Sequence, residues 1–317
     1  MSGIKVFRSV KDVREYRLQC TLRGESVGFV PTMGALHEGH CSLIKESLNN
    51  NDVTIVSIFV NPSQFSPTED LDAYPRTLDC DLELLSVLKN DRDEEENSSR
   101  KVNAVFVPTV SEMYPSGISL DVNEQKGAFV SVLGVSGQLE GRMRPQFFRG
   151  VATVVTKLFN VITPTKAYFG QKDIQQTVVV KNLVKDLLLP IEIVVLPTIR
   201  EKSGLALSSR NSYLSENARD DAAIIYKALH LLELEYYNNN EVTDSLELLK
   251  IIDNVLKDYT DGTKGNYDID YVSINHPKTL DTLDKITPGV GAIISTAIKV
   301  PNGHGDFTRL IDNVVLK

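Results

Sequence analysis

Short apolar runs rich in β-branched residues alternate with segments of helical periodicity through the first two-thirds of this chain. Alternation of this kind is typical of an α/β fold, in which helices cover both faces of a parallel sheet. Strands are predicted over residues 27–30, 53–60, 104–107, 166–169 and 191–195, and helices over 42–48, 78–89, 149–162 and 174–188. In such folds ligands bind at the carboxyl ends of the strands.

The pattern changes after residue 197, where long helices come first and strands follow. Helices are predicted over residues 216–237 and 242–259, and strands over 267–274, 292–300 and 310–315. We therefore expect a larger α/β domain over residues 1–197 and a smaller C-terminal α+β domain over residues 198–317.

Composition excludes several classes of protein. The chain has 317 residues and a net charge of −8, which argues against a nucleic-acid binder because such proteins present a basic face. Its three cysteines form no Cys-x-x-Cys pair, which fits a reducing compartment. Neither a membrane-spanning stretch nor a secretory signal is evident, so a cytoplasmic location is expected. The charged stretch at residues 91–100 is predicted to be a solvated surface loop.

The segment PTMGALHEGH, residues 31–40, links the first of these predicted strands to the helix that follows. His37 and His40 therefore stand near a helix N-terminus, where free backbone N–H groups and the helix dipole favour phosphate. Gly34 and Gly39 allow backbone to approach a ligand closely. The pattern indicates chemistry on the phosphates of a nucleotide, with the two imidazoles donating to phosphate oxygens.

The two histidines have two other interpretations. Histidines in turns are often polar surface residues. A zinc site of the His-Glu-x-x-His type would need one more residue between the ligands, and only Cys41 offers a third soft ligand nearby. Dinucleotide-binding and P-loop glycine motifs are absent from the sequence, so a bound nucleotide would need a different loop.

Four further groups of polar residues follow predicted strands or precede predicted helices. Each also has an ordinary structural interpretation, as a turn, a helix cap or solvated surface. Amides suit hydroxyl and carboxylate groups, whereas arginine, lysine and serine suit phosphate. The groups are Asn61 with Gln64, the arginines Arg142, Arg144 and Arg149, Lys172 with Asp173 and Gln176, and Ser208, Ser209 and Arg210.

Seven motifs taken together give a specific resemblance. They are PTMGALHEGH, VNPSQF, DLDAYPRTLDCDL, LEGRMRP, FGQKDIQQ, PTIRE and LSSRNSYLS, in this order within residues 27–215. The sequence resembles the pantothenate synthetase family, the AMP-forming pantoate–β-alanine ligases, within the His-x-Gly-His nucleotidyltransferases. The resemblance implies a Rossmann-like domain that binds ATP and pantoate, a C-terminal lid domain, and a homodimer.

The resemblance also implies roles for individual residues. His37, His40 and Lys172 would be catalytic, Gln64, Gln176, Asn61 and Arg144 would bind substrate, and Asp81 would contact Mg²⁺. ATP would be bound by Met33, Gly34, His37, His40, Gly170, Gln171, Lys172, Asp173, Ile199, Leu207, Ser208, Ser209 and Arg210. The chain has Cys80 before Asp81 where an Asp-Asp pair is frequent, and Gln171 where Glu is frequent.

The implied reaction condenses (R)-pantoate with β-alanine, using ATP and releasing AMP and pyrophosphate through an enzyme-bound pantoyl adenylate. Partners would be these small molecules and a second copy of the chain, without nucleic acid or membrane. Three alternatives stay open at this point. They are a related nucleotidyltransferase acting on another acid or a phosphate ester, a nucleotide-binding protein without catalysis, and a synthetase that acts on RNA.

Overall fold

The structure is a computed structural model that describes residues 4–67, 71–90, 100–239 and 241–317. Most of the 91–100 insert therefore lies outside the described residues. The chain divides into two compact units. The first unit comprises Met1–Gly137, Gly141–Gly170 and Val179–Leu196, and the second comprises Gln138–Glu140, Gln171–Val178 and Pro197–Lys317. The last segment of the second unit begins beside the predicted boundary at 197/198, and the independence of the two domains stays a prediction.

The strands and α-helices are numbered in chain order. The strands are β1 Lys5–Phe7, β2 Val27–Thr32, β3 Val53–Ile58, β4 Ala104–Phe106, β5 Lys166–Gly170, β6 Glu192–Leu196, β7 Thr243–Asp244, β8 Asp268–Asn275, β9 Lys285–Ile286, β10 Ala292–Pro301 and β11 Phe307–Leu316. The helices are α1 Val10–Leu22, α2 Glu38–Asn50, α3 Leu78–Val87, α4 Val110–Met113, α5 Glu140–Met143, α6 Phe147–Ile162, α7 Ile174–Asp186, α8 Glu216–Ala222, α9 Ile224–Asn238 and α10 Ser245–Thr260.

The first unit is built on a six-stranded sheet in the order β1-β4-β3-β2-β5-β6, and every pairing in it is parallel. All six residues of β3 are buried, and only Pro31 of β2 is partly exposed. Strands covered by helices on both faces need such continuous apolar runs, because each face is buried. The predicted α/β class is confirmed, and the carboxyl ends of β2 and β3 lie side by side.

Two N-terminal elements were not predicted from the sequence. Strand β1 has three residues, none of them buried, and pairs only with β4. Helix α1 buries only Val13 and Cys20, so its periodic signal is weak. Its start is fixed by Ser9, whose hydroxyl accepts a hydrogen bond from the backbone N–H of Asp12 at 3.1 Å.

The second unit contains a three-stranded antiparallel sheet in the order β11-β10-β8, with α8, α9 and α10. One apolar cluster joins helices and sheet, and it includes Leu232, Ile252, Ile294 and Val314. The predicted C-terminal α+β arrangement is confirmed. The prediction of one long helix over 216–237 is wrong, because the backbone N–H of Ala223 turns back to the carbonyls of Asp220 and Asp221 and separates α8 from α9.

Among the described residues, no helix has both the length and the apolar character required to cross a bilayer.

Candidate active site

The histidine turn, residues 33–37, joins the end of β2 to the start of α2. Helix α2 begins at Glu38, four residues before the predicted start, and His37 is its N-cap residue. His40 thus lies within the first helical turn rather than in a loop. Both imidazoles are therefore attached to a helix N-terminus, where backbone N–H groups and the helix dipole favour an anion.

Each imidazole accepts a hydrogen bond from the backbone of the same turn. Nδ1 of His37 accepts from the N–H of Gly39 at 3.1 Å, and Nδ1 of His40 accepts from the N–H of His37 at 3.3 Å. A neutral imidazole that accepts at Nδ1 carries its hydrogen at Nε2, so this network assigns the Nε2–H tautomer to both rings. The turn therefore provides two imidazole donors of fixed orientation.

The glycine between the histidines is required by packing. The ring centroids of His37 and His40 are 4.2 Å apart, with an angle of 44° between their planes. A Cβ at Gly39 would lie 2.8 Å from Cε1 and 3.0 Å from Nδ1 of His37, closer than a methyl group tolerates. Any larger residue would push the His37 ring away from its position as helix cap.

Asp81 holds the first half of this turn. Its carboxylate accepts from the N–H of Ala35 at 3.0 Å and of Leu36 at 2.8 Å, and from the hydroxyl of Thr77 at 3.2 Å. Gly34 and Ala35 both have positive φ, of 85° and 50°, a conformation that is unfavourable for alanine. The buried carboxylate compensates by pairing two N–H groups that the turn exposes.

These contacts bear on the prediction that Asp81 contacts Mg²⁺. Both carboxylate oxygens already face protein donors, an arrangement that does not fit a residue dedicated to a metal ion. Within residues 4–67, 71–90, 100–239 and 241–317, no group of three or more His, Cys, Asp or Glu side chains is suited to hold a metal. The metal role of Asp81 stays a prediction, whereas the geometry shows a role in shaping the histidine turn.

Asn61 and Gln64 follow β3 in a short 3₁₀ turn and form a buried amide pair. Nδ2 of Asn61 donates to Oε1 of Gln64 at 3.0 Å and to the carbonyl of Gly150 at 3.2 Å. Oδ1 of Asn61 accepts from the hydroxyls of Tyr114 at 2.6 Å and Ser63 at 3.1 Å. The Asn61 amide is thus fully used within the protein, and it orients the Gln64 amide.

Tyr114 and Ser63 support this pair and were missed by sequence reasoning. Burial raises the pKa of the Tyr114 phenol to about 12, which keeps it a neutral donor. Tyr114 lies 53 residues from Asn61 in the sequence, so only the fold connects them. Ser63 stands inside the VNPSQF motif, but nothing in the motif indicates its partner.

Gln64 links the amide pair to the histidine turn. Its Nε2 lies 3.1 Å from Sδ of Met33, the first residue after β2. Its carbonyl accepts from Nη2 of Arg144 at 3.5 Å, and the Arg144 guanidinium lies 3.9 Å from the Phe147 ring centre. Gly150 of α6 packs directly on this segment, since a Cβ there would overlap the carbonyl oxygen of Ser63. The first unit therefore brings Met33, Asn61, Gln64 and Arg144 together.

The lysine segment, residues 171–173, follows Gly170, the last residue of β5. Gln171–Asp173 forms a 3₁₀ turn, and α7 starts only at Ile174. Nζ of Lys172 is 3.9 Å from Oδ1 of Asp173, a loose ion pair. Asn313 of β11 donates through Nδ2 to the carbonyls of Gln171 at 2.9 Å and of Lys172 at 3.0 Å. Residues 171–178 and Asn313 belong to the same unit.

Gln176 and its neighbour Gln175 behave differently in the first turn of α7. Gln176, predicted to bind substrate, is half-buried. Gln175 is buried, and its amide accepts from the N–H of Glu140 at 3.0 Å and donates to the carbonyl of Gln138 at 2.7 Å. Gln175 is therefore a structural residue, although it stands inside the FGQKDIQQ motif.

The serine–arginine segment, residues 207–210, belongs to the second unit as well. Its hairpin begins with Ile199, whose carbonyl accepts from the N–H of Leu207 at 2.9 Å. Ser208 caps the short 3₁₀ helix Ser209–Tyr213, and its hydroxyl accepts from the N–H of Arg210 at 3.2 Å. Two hydroxyls and one guanidinium thus lie on consecutive residues at a helical N-terminus, which suits an anion.

The parallel α/β fold and the His-x-Gly-His turn define an enzyme of the nucleotidyltransferase-like class. The sequence profile of the family described as Pantoate-beta-alanine ligase matches residues 5–315. The chain belongs to this family of ligases.

Relatives and solved structures agree with this membership. The pantoate–β-alanine ligase of Saccharomyces cerevisiae is 44% identical over 323 residues, spanning 99% of this chain and 100% of that protein. The pantothenate synthetase of Herpetosiphon aurantiacus is 44% identical over 313 residues, with the same coverage of 99% and 100%.

Two solved structures resemble the chain over nearly its whole length. The crystal structure of pantothenate synthetase from Thermus thermophilus matches with a TM-score of 0.80 and 38% identity, covering 98% of this chain and 99% of that one. The crystal structure of the pantoate–β-alanine ligase from Francisella tularensis matches with a TM-score of 0.70 and 32% identity, covering 99% and 98%. That protein is complexed with "Beta-gamma ATP and Beta-alanine".

Proposed function

We propose that this enzyme condenses (R)-pantoate with β-alanine in two steps, using ATP. In the first step a pantoate carboxylate oxygen attacks the α-phosphorus, the bond to pyrophosphate breaks, and pantoyl adenylate forms. In the second step the β-alanine amine attacks the activated carbonyl, loses a proton, and expels AMP as the C–O bond breaks. The observation that carries this proposal is the pair of imidazoles whose backbone contacts set both Nε2–H groups as donors.

Each group of residues has a specific task in this proposal. His37 and His40 donate to phosphate oxygens as negative charge shifts onto the leaving pyrophosphate, without forming a covalent bond themselves. Donors fixed in advance at developing charge stabilise a transition state more than flexible ones, because they need no reorganisation. The Gln64 amide, oriented by Asn61, suits the hydroxyl and carboxylate groups of pantoate.

The second unit supplies cationic and hydroxyl groups for ATP phosphates. Lys172, Ser208, Ser209 and Arg210 are proposed to bind them, with the backbone of Gly170, Gln171, Ile199 and Leu207 nearby in sequence. Gln176 is proposed to bind pantoate, and Asp173 to bind ATP. Acyl transfer requires no nucleophilic side chain of the enzyme, so Cys41 and the serines have no covalent role here.

Several finer features belong to the proposal. Mg²⁺ would enter with ATP, since this ion is usually held by substrate phosphates with one or two carboxylates. The chemistry that it would supply is neutralisation of phosphate charge. A homodimer is also proposed, on the family resemblance alone, and a cytoplasmic location is proposed on the cysteine usage of the sequence, which fits a reducing compartment.

Pyrophosphate–ATP exchange tests the proposal most directly. Labelled pyrophosphate is incubated with enzyme, Mg²⁺ and ATP, with and without pantoate and in the absence of β-alanine. We expect exchange that depends on pantoate, followed by AMP and amide formation when β-alanine is added. Exchange with another acid or with a phosphate ester, and not with pantoate, would instead favour a related nucleotidyltransferase.

A further inference from the structure

Strand β11 contacts the lysine segment and the hairpin that leads into the serine–arginine segment, the two phosphate-binding segments proposed for the second unit. Successive side chains of a strand point to opposite faces of its sheet. Asp312 and Asn313 are adjacent on β11, opposite Thr296 and Ser295 of β10, and they are 5% and 1% exposed. Buried polar side chains on a sheet are costly unless they are paired, so their partners indicate what they do.

The side-chain amide of Asn313 pairs with the lysine segment. Its Nδ2 donates to the carbonyls of Gln171 and Lys172, at 2.9 and 3.0 Å, and its Oδ1 accepts from Nε2 of Gln171 at 3.3 Å. The two carbonyl contacts fix two consecutive peptide groups, and they therefore restrict the direction in which the Lys172 side chain leaves the backbone.

Asp312 is paired with the hairpin that leads into the serine–arginine segment. Its carboxylate receives a bidentate ion pair from Arg200, with N···O distances of 2.6 and 2.9 Å. Arg200 also donates to the carbonyl of Gly204 at 3.1 Å, and its guanidinium lies 3.6 Å from the centre of the Tyr226 ring. A planar guanidinium with these partners has one orientation, so Asp312 sets the position of the hairpin.

The hairpin, residues 199–207, leads directly into the serine–arginine segment, so the position of the hairpin determines where that segment begins. Glu201 and Leu205 pair through a backbone hydrogen bond of 2.8 Å, and the next pair, Ile199 and Leu207, does so at 2.9 Å. Asn211 then donates to the carbonyl of Ala206 at 3.0 Å. Ser208, Ser209 and Arg210 lie between these fixed points.

We propose that Asp312 and Asn313 are positioning residues that set, from one strand, the two ATP-phosphate-binding segments of the second unit. Asn313 acts through the backbone of Lys172, and Asp312 acts through Arg200 on the hairpin before Ser208. This inference rests on the proposed function, because it takes Lys172 and Arg210 to bind ATP.

The first experiment uses Asn313→Asp, which keeps the size of the side chain but replaces the donor with a carboxylate facing two carbonyls. We expect kcat/KM for ATP to fall by about 10²-fold, the size of loss that a displacement of about 1 Å can cause. The matched control is Asn275→Asp. Asn275 is also 1% exposed in the same sheet, but its Nδ2 donates at 2.8 Å to the carbonyl of Leu280 rather than to that of Gln171 or Lys172. A similar fall in Tm for both variants with loss of ATP use only in Asn313→Asp supports the proposal, and equal losses overturn it.

A double-mutant cycle separates positioning from a general structural role. If Asn313 acts through Lys172, then Lys172→Ala with Asn313→Asp should be no more than about threefold worse than Lys172→Ala alone. Multiplicative losses would overturn the proposal for Asn313. The same cycle with Asp312→Asn and Arg210→Ala tests the second segment. Should Asn313→Asp fail to fold, Asn313→Ser replaces it in the cycle, with the same two outcomes.

Wild-type exchange distinguishes this inference from the proposed function. If the wild-type enzyme shows no pantoate-dependent exchange, the proposed function fails before any variant is considered. If the wild-type enzyme is active and the cycles are multiplicative, the function stands and only the positioning role is lost.

Discussion

The two units hold their proposed site residues by different means. In the first unit the two histidine rings are held by contacts between residues two and three apart, from Gly39 to His37 and from His37 to His40, and Asp81 holds the first half of the turn from 45 and 46 residues away. In the second unit, the lysine segment is held by Asn313, which lies 141 residues from Lys172 in the sequence. A motif read along the chain therefore contains the contacts that set the histidine rings, but not those that set the lysine segment.

Removing one of the two imidazole donors should cause the largest loss of enzyme activity. For His40→Ala we expect kcat/KM to fall by about 10²–10³ or more, with the fold intact. The accompanying loss of the hydrogen bond from the backbone N–H of His37 to the His40 ring should cost about 1 kcal/mol of unfolding free energy. Steady-state kinetics and thermal unfolding check both. His304→Ala is the control, since His304 is exposed in a turn. Near-normal turnover of His40→Ala would remove the basis for the proposed mechanism.

A change that keeps both histidines but disturbs their turn should have the next largest effect. Gly39→Ala places a methyl group against the His37 ring, so we expect about 10²-fold lower kcat/KM. Gly137→Ala is the control, because a Cβ at Gly137 meets no atom within 4 Å. Equal activity of the two variants would mean that the local contacts of the turn do not set the imidazoles.

The amide pair offers a smaller test, in a part of the first unit that does depend on distant contacts. Gly150→Ala should push α6 away from Ser63 and Gln64, at a cost of about 1–3 kcal/mol in stability. We expect KM for pantoate to rise by about tenfold, which corresponds to a loss of about 1.4 kcal/mol of binding free energy. KM for ATP should change much less. A rise confined to ATP would contradict the role proposed for Gln64.

The smallest expected effect is on the stability of the fold in acid. It tests the long-range contact between Asp270 of β8 and Arg309 of β11. Burial raises the pKa of the Asp270 carboxyl, but hydrogen bonds from Arg309 and Lys299 outweigh it, so the pKa lies below its ordinary value. A carboxylate with a lowered folded-state pKa stabilises the fold above its unfolded pKa, and this contribution is lost as pH falls through the folded pKa.

We therefore expect the unfolding free energy of the wild-type chain to decline more steeply in acid than that of Asp270→Asn. Urea unfolding between neutral pH and about pH 3 measures it. Asp268→Asn is the control, since the Asp268 side chain is 63% exposed although it also contacts Lys299. Parallel curves for the wild-type chain and Asp270→Asn would show that the ion pairs of Asp270 with Arg309 and Lys299 do not contribute to the stability of the fold.

The same contrast explains what the sequence could and could not predict. Strand and helix periodicity was sufficient for the parallel sheet, because buried strands such as β3 are continuous apolar runs. The start of α2 was misplaced, since histidine is an unusual N-cap residue and its capping contacts involve ring nitrogens. Helix signals also failed at Ala223, where one predicted helix is two, because periodicity continues across the break.

Within the candidate site, residue types were predictable but their partners were not. The amide at residue 61 was expected to bind substrate, whereas four contacts within the protein use it. Tyr114, Asp312 and Asn313 complete the two site regions from distant parts of the chain. No spacing rule connects residues that only the fold brings together.

The dependence of the lysine segment on β11 has a consequence for synthesis of the chain. Asn313 leaves the ribosome long after Lys172, 141 residues later, whereas the histidine rings are held by contacts within their own turn, and Asp81, which holds the first half of that turn, follows Ala35 by only 46 residues. We expect a nascent chain to shape the histidine turn early and to order Lys172 only when β11 has been added. Ribosome-bound chains arrested before residue 307 should therefore lack adenylating activity, so an unfinished enzyme would not consume ATP.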